Sequence, residues 1–212
     1  MLNIQLFTFN AFEENTYLLI NEKRECWIID PGMYGKQEES LLINYIVENN
    51  LTPKAIINTH AHIDHIFGVN ALQERFTIPF GIHIKELEVL KYAAGSASLF
   101  GFSFEQVPRP DFYIKEGELL SVGEDMLQVY FTPGHSVGSI SFYYPKGGWV
   151  ISGDVLFSGS VGRTDLPGGN FDTLKDSIRN QLLTLPGETI VYPGHGPATT
   201  VQNESLNNPF LQ

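Results

Sequence analysis

The sequence predicts an α/β protein, a four-layer αββα sandwich in which two mixed sheets face each other and helices cover the outer faces. Two observations lead there. Strand-like runs, a stripe of helical period and a further strand-like run follow one another in that order, and the same order occurs twice along the 212 residues. The composition, 42% hydrophobic with 15 Phe and 9 Tyr, supplies a sizeable buried core and argues against disorder. A single domain spanning residues 1–212, built from two similar halves, is the expected organisation, with no linker or low-complexity segment.

In the first half, "IQLFTF" alternates in the manner of a strand, "TYLLI" follows Asn15, and "CWIID" ends at Pro31-Gly32, a strong turn signal. The period then changes. Leu41, Leu42, Tyr45 and Ile46 fall at helical spacing within about residues 37–49. "KAIIN" reads as a buried strand that delivers the chain to Thr59 and His60. Phe67 to Phe76 reads as a helix, "PFGIH" as a strand and "IKELEVLKYAA" as a helix, and residues 95–111 read as a loop rich in Gly, Ser and Phe. In the second half "LLSV", "LQVYFT", "SISFYY" and "WVIS" read as strands. Leu174, Ile178, Leu182 and Leu185 form a helical stripe behind Asp172, the expected N-cap, and "TIVYPG" is a last strand.

A formal net charge of -11 disfavours nucleic acid and anionic lipid as partners. No run is apolar for long enough to span a membrane, and "MLNIQLFTFN" lacks the basic start and apolar stretch of a signal peptide, so the expected location is cytoplasmic. Cys26, the one cysteine, sits in an apolar run and reads as a packing residue.

"NTHAHIDHIFG" concentrates three of the six histidines, His60, His62 and His65, with Asp64 among them. Alternate residues of an extended chain face one side, so His60 and His62 can share a target. A turn into a helix can aim Asp64 and His65 at a second point nearby. Imidazole and carboxylate are the ligands of zinc and iron(II). More candidates of one style lie downstream: His135 in "TPGHS", Asp154 in "SGDVLF" and His195 in "YPGHGP", each after a strand-like run and beside Gly. His83 lies outside the pattern and reads as a surface or helix-start residue. Asp30, in "DPG", is either a turn former or a partner of a metal ligand.

In order along the chain, "IIDPG", "THAHIDHIFG", "TPGHS", "GDVLF" and "PGHG" resemble the metallo-β-lactamase superfamily. The resemblance implies the αββα sandwich with metals at one edge between the halves. It also implies that His60, His62 and His135 hold a first metal and that Asp64, His65 and His195 hold a second, with Asp154 bridging. "GDVLFSGSVGRTDLPGG" and "GHGPATTVQNESLNNPFL" are similar to the short relatives of glyoxalase II, the hydroxyacylglutathione hydrolases. That group implies a small-molecule thioester substrate of the S-lactoylglutathione type. Arg163 matches a position that contacts substrate there, and its bland alternative is a surface ion pair. Only 17 residues follow His195, so the additional C-terminal helical domain of full-length glyoxalase II, which helps bind glutathione, is not expected.

Two divalent metals about 3.5–4 Å apart can share a bridging water and lower its pKa towards neutrality. Zinc is the expected ion, with iron and manganese as alternatives. The nucleophile is then a bridging hydroxide, oriented in part by Asp64 and Asp154, and a thioester suits it because a thiolate leaves without a strong general acid. The main rival is an oxidoreductase. Persulfide dioxygenases share the histidine cluster and a similar "GRTD" loop, and here His60, His135 and Asp154 would hold one iron. "GHGP" is hydrolase-like and favours the thioesterase. A phosphodiesterase, a secreted lactamase and a non-catalytic metal-bound module rank below both. Oligomeric state is not legible.

Overall fold

A computed structural model of the chain describes residues 1–104 and 106–212. The first half forms a six-stranded mixed sheet. Strands β1 (Asn3–Phe9), β2 (Glu14–Ile20) and β3 (Glu25–Ile29) are antiparallel. Parallel strands β4 (Thr52–Ile57), β5 (Phe80–His83) and β6 (Phe112–Ile114) then extend it in sequence order. The second sheet is also mixed. It comprises β7 (Leu119–Val122), β8 (Asp125–Phe131), β9 (Ile140–Tyr144), β10 (Trp149–Gly153), β13 (Ile190–Pro193) and β14 (Thr199–Thr200), in the order β14-β13-β10-β9-β8-β7. A hairpin of β11 (Leu156–Phe157) and β12 (Ser160–Val161) stands apart from both.

Three apolar clusters make the layers. Between the sheets, Tyr17, Leu19, Ile29 and Ile57 meet Val129, Ile140, Phe142 and Ile151. One residue along each first-half strand, the side chain turns the other way: Leu18, Ile28 and Ile56 face the helices α1 (Lys36–Glu48) and α3 (Val69–Phe76) through Leu42, Ile46 and Leu72. On the far side Val150 and Val191 meet Leu174 and Ile178 of α6 (Phe171–Asn180) and Val201 of α7 (Val201–Asn207). The architecture is therefore the expected αββα sandwich. Because both faces of the inner strands are covered, strand β2 is buried almost throughout and shows no clean alternation.

Several local expectations need correction. The helix expected over 84–94 is a 3-10 turn at Ile84–Glu86 followed by the short α4 (Leu87–Leu90), and a new helix α5 (Ala93–Leu99) enters the expected loop. Ala93 and Ala97, four apart, bury against the first cluster, and this packing outweighs the low helical preference of Gly95. The same stretch ends at β6, and residue 105 of the expected loop lies outside the described residues. Asn170, not Asp172, caps α6, its side chain accepting from the Thr173 amide at 2.8 Å. Leu182 lies beyond α6 in a 3-10 turn, and Leu185 caps that turn. His83 stands at a helix start, as the N-cap of the Ile84–Glu86 turn, but is buried rather than at the surface, with its ring 4.9 Å from that of Phe131. Cys26 is a buried packing residue, and burial pushes its thiol up to about 12. Among the described residues no helix is long and apolar enough to cross a membrane.

Candidate metal centre

Strand β4 ends at Ile57, the chain bends at Thr59, and His62, which has β-type dihedrals, precedes the four-residue helix α2 (Ile63–Ile66). His60 and His62 thus leave on one side, while the turn into α2 redirects Asp64 and His65. Asn58 fixes this turn by donating to the His65 carbonyl at 2.6 Å. The other three residues arrive on second-sheet loops: His135 between β8 and β9, Asp154 directly after β10 and His195 directly after Gly194 at the end of β13. Strand β2 of the first sheet holds that last end in place. Tyr17 donates its hydroxyl to the Pro193 carbonyl at 2.6 Å, and the Asn15 amide donates to Gly194 at 2.7 Å.

All seven residues converge. Nε2 of His135 lies 2.8 Å from His62 Nδ1 and 3.2 Å from His60 Nε2. Asp64 Oδ2 lies 3.2 Å from His195 Nε2 and 3.8 Å from His65 Nε2. Asp154 sits between the two groups, with Oδ1 3.4 Å from His65 Nε2 and Oδ2 3.5 Å from the Nε2 atoms of both His135 and His195. Gly194 makes this approach possible, since a Cβ there would strike the Asp154 carboxylate.

The outer nitrogens are committed elsewhere. His135 Nδ1 bonds to the Arg163 carbonyl at 2.8 Å, and His195 Nδ1 bonds to the Phe12 carbonyl at 2.9 Å. His60 Nδ1 lies 3.0 Å from the Thr59 hydroxyl, which itself donates to Asp30 Oδ2. These bonds assign the outer protons, so the inner nitrogens of His60 and His135 present lone pairs, and that of His195 does so once it gives up its inner proton to a metal. Asp30 also accepts from the Thr59 amide at 2.7 Å and lies 3.2 Å from His65 Nδ1. It is therefore a partner of the histidine cluster as well as a turn residue. Asp30 could itself group with His60 and His65 as a ligand set, but both its oxygens already accept from Thr59.

Donor chemistry and spacing fit two metals. One imidazole nitrogen, His135 Nε2, stands 2.8 and 3.2 Å from two others and cannot satisfy both by hydrogen bonds, whereas tetrahedral ligands at about 2.0–2.1 Å from zinc stand about that far apart. His65 Nε2 and Asp154 Oδ1 are buried with no hydrogen-bond partner among the described residues, as inward-facing ligands would be. By distance His60, His62 and His135 form one set and Asp64, His65 and His195 another, while the set of Asp30, His60 and His65 overlaps both.

Electrostatics separates the groups in the same way. Burial, then the neighbouring imidazoles, hold His60 well below its usual value and His62 at about 3, so both are neutral, ligand-competent imidazoles. Burial would also lower His65 and His195, but Asp154 and Asp64 overcome it and carry His195 up to about 10. Burial opposes ionisation of Asp154 and Asp64, yet the adjacent His65 and His195 keep both below the usual carboxylate range. The centre therefore presents two anionic carboxylates to any cation.

Residues without a sequence signal support the site. Glu86 is fully buried and accepts from the Ala61 amide at 2.7 Å, the Gly138 amide at 2.7 Å and the Ser136 hydroxyl. It ties the His60–His62 segment to the His135 loop. In sequence nothing separates it from Glu88 two residues on. Glu14 is likewise buried, which pushes its carboxyl well up, and lies 3.8 Å from His65 Nδ1. Arg163 is half-exposed. Its guanidinium forms a two-bond pair with Asp165 at 2.7 and 2.8 Å, and the residue is among those lining a cavity of about 480 Å³ that opens onto the cluster.

A sequence profile of the metallo-beta-lactamase superfamily matches residues 10–195. The chain belongs to that superfamily. Among relatives in it, the probable metallo-hydrolase YqgX of Bacillus subtilis is 45% identical over 94% of this chain and 92% of its own. The hydroxyacylglutathione hydrolase GloC of Haemophilus influenzae is 35% identical over 99% and 98%. Of solved superfamily structures, BLEG-1, described as a B3 metallo-beta-lactamase, matches with TM-score 0.91 and 40% identity over 99% of this chain and all of its own. TTHA1623, in a di-iron-bound form, matches with TM-score 0.88 and 39% identity over 98% of this chain and 100% of its own. ETHE1 from Myxococcus xanthus matches with TM-score 0.80 and 29% identity over 98% of this chain and 83% of its own. Membership in this metallo-hydrolase superfamily supports a hydrolase, and the chain's clustered His and Asp side chains suit a two-metal centre.

Proposed function

We propose that the protein is a metal-dependent hydrolase of small thioesters, with zinc as the metal and S-lactoylglutathione as the first substrate to test. The observation that carries this is Asp154, which stands within 3.5 Å of nitrogens from both ligand groups and so can serve two ions at once. In this proposal His60 Nε2, His62 Nδ1 and His135 Nε2 hold one ion. His65 Nε2, His195 Nε2 and Asp64 hold the other. Bound divalent metals supply Lewis acidity and a water acidified towards neutral pH.

The chain's own residues do the rest. Asp64 and Asp154, whose carboxyls stay below the usual carboxylate range, orient the attacking water through their oxygens. Thr59, Phe12 and the Arg163 carbonyl hold the outer imidazole nitrogens, so the inner lone pairs do not rotate away. Water oxygen adds to the acyl carbon, the C–S bond breaks, and sulfur departs with the electron pair as a thiolate. A carboxylate and a thiol result. Arg163 offers the carrier's carboxylate a planar fork at the cavity, in competition with Asp165. Support for a glutathione carrier comes from the name of the GloC relative and from Arg163. The cytoplasm, where small thiols are kept reduced, is the proposed location.

The test is metal analysis of the purified protein alongside hydrolysis of S-lactoylglutathione. Turnover that follows metal loading supports the proposal, and a metal-loaded protein without thioesterase activity refutes it. One second reading has a specific observation behind it: the match to ETHE1, together with the di-iron form of TTHA1623, favours an iron-dependent oxidoreductase. Oxygen consumption with a persulfide substrate separates the two. Because of the BLEG-1 match, a β-lactam belongs in the same assay.

A further inference from the structure

The cavity beside the metal centre is about 480 Å³, within the range of sites for drug-sized ligands. His62, Asp64, His135, Asp154 and His195 form one part of its lining, so it is continuous with the chemistry. Away from them its character changes. Phe12, Val89, Tyr92, Ala93 and Phe100 supply an apolar wall from α4, α5 and the turn between β1 and β2. The Phe12 ring meets those of Phe100 and Phe102 at 5.5 and 5.3 Å, and Ala93 is buried beneath. Through its carbonyl Phe12 also holds His195, so this wall and the metal centre share a residue. Tyr92 remains 65% exposed although it lines the cavity, which leaves aromatic surface for a ligand to cover.

We infer that this wall is an acyl subsite, and that the preferred thioester carries an apolar acyl group longer than lactoyl. The inference rests on the thioesterase reading above and adds the substrate class. Charge points the same way. Among the described lining residues Arg163 is the one lysine or arginine, and it is already paired with Asp165, while Glu88 adds an anion. One cation can receive a carboxylate of the thiol carrier. An anionic acyl group would find none left. A lactoyl group is small and leaves most of the apolar wall uncovered, whereas an alkyl chain removes apolar surface on both sides from water; Ser96, Glu88 and the Tyr92 hydroxyl are the polar groups beside that wall.

The test uses one thiol and varies the chain. The metal-loaded protein is assayed with acetyl, lactoyl, butyryl, hexanoyl and octanoyl thioesters of glutathione. Its affinity for non-hydrolysable S-methyl, S-butyl, S-hexyl and S-octyl glutathione is measured by calorimetry. A fully buried methylene is worth roughly four-fold and a half-buried one roughly two-fold. Going from butyl to octyl should therefore tighten binding by about ten-fold or more, and kcat/KM should rise in parallel from butyryl to octanoyl. In Tyr92→Asp, at an exposed position that the fold tolerates, the chain-length slope should flatten. Affinity independent of chain length, or a slope unchanged in Tyr92→Asp, overturns the subsite. If no thioester is hydrolysed the thioesterase reading falls, and the binding series still decides whether the wall takes an alkyl chain.

Discussion

Replacing Glu86 tests how far the metal centre depends on a residue that touches no metal. Oε1 accepts from the Ser136 hydroxyl and the Gly138 amide, and Oε2 accepts from the Ala61 amide. Glu86→Ala strands three buried donors. At about 1–3 kcal/mol each, the loss is about 3–9 kcal/mol before relaxation, a large part of the roughly 5–15 kcal/mol that holds a domain folded. Glu86→Gln is the more informative change. Its carbonyl oxygen can keep the two donors at Oε1, but its NH2 then faces the Ala61 amide, so one donor is lost at about 1–3 kcal/mol. Urea unfolding of chelator-treated protein reads that cost without any contribution from metal. Ala61 lies between His60 and His62, and Ser136 follows His135, so the spacing of the three nitrogens should also loosen. By analogy with other outer-shell ligands, first-metal affinity should fall about 10–100-fold in a competition titration. A Gln variant within about 0.5 kcal/mol of wild type, with unaltered metal affinity, would refute the clamp.

Other outcomes follow from particular contacts. Gly194→Ala should lower metal content while leaving the far-UV spectrum unchanged, because the new Cβ meets the Asp154 carboxylate and His65; full metal content would contradict the close approach. Arg163→Ala should raise KM for a glutathione thioester several-fold with a smaller effect on kcat, the signature of lost uniform binding; an unchanged KM would leave Arg163 as an ion-pair partner of Asp165 only. Asp125 is held at about 2 by the Tyr144 hydroxyl first and by Lys146 next. Its folded value lies below the unfolded one, so its stabilisation is present above the ordinary carboxylate value and is lost as pH falls through about 2. Thermal unfolding should therefore show Asp125→Asn weaker than wild type at neutral pH, with the gap closing between about pH 4 and pH 2; a gap independent of pH would mean that its charge is not the cause.

The layers were legible because they follow from period. Leu18 and Tyr17, or Ile56 and Ile57, alternate between two apolar environments, and that needs a sheet covered on both faces. The seven clustered residues were legible because four of them crowd into one short stretch and the other three, His135, Asp154 and His195, each follow a strand-like run beside Gly. What was illegible depends on tertiary contact. Helix α5 forms because Ala93 and Ala97 find a surface to bury against, and composition alone reads that stretch as loop. His83 is buried by Phe131, forty-eight residues away in the other sheet. Glu86, Glu14 and the Arg163 carbonyl serve the centre through backbone amides and imidazole nitrogens, and such roles carry no residue-type signature. The aromatic wall drew Phe100 from a segment that read only as loop and Phe12 from one between strands that carried no reading of its own.

The central claim is that Asp154 serves two metals in one hydrolytic centre, and elemental analysis of wild type and Asp154→Ala tests it most directly. Two metals per chain in the wild type, and loss of both with the single substitution, is the predicted result. His195→Ala, by comparison, should lose chiefly the second. One tightly held iron in the wild type, with no second site that zinc or manganese can fill, would contradict the account, as would an Asp154→Ala protein that keeps both metals and full activity.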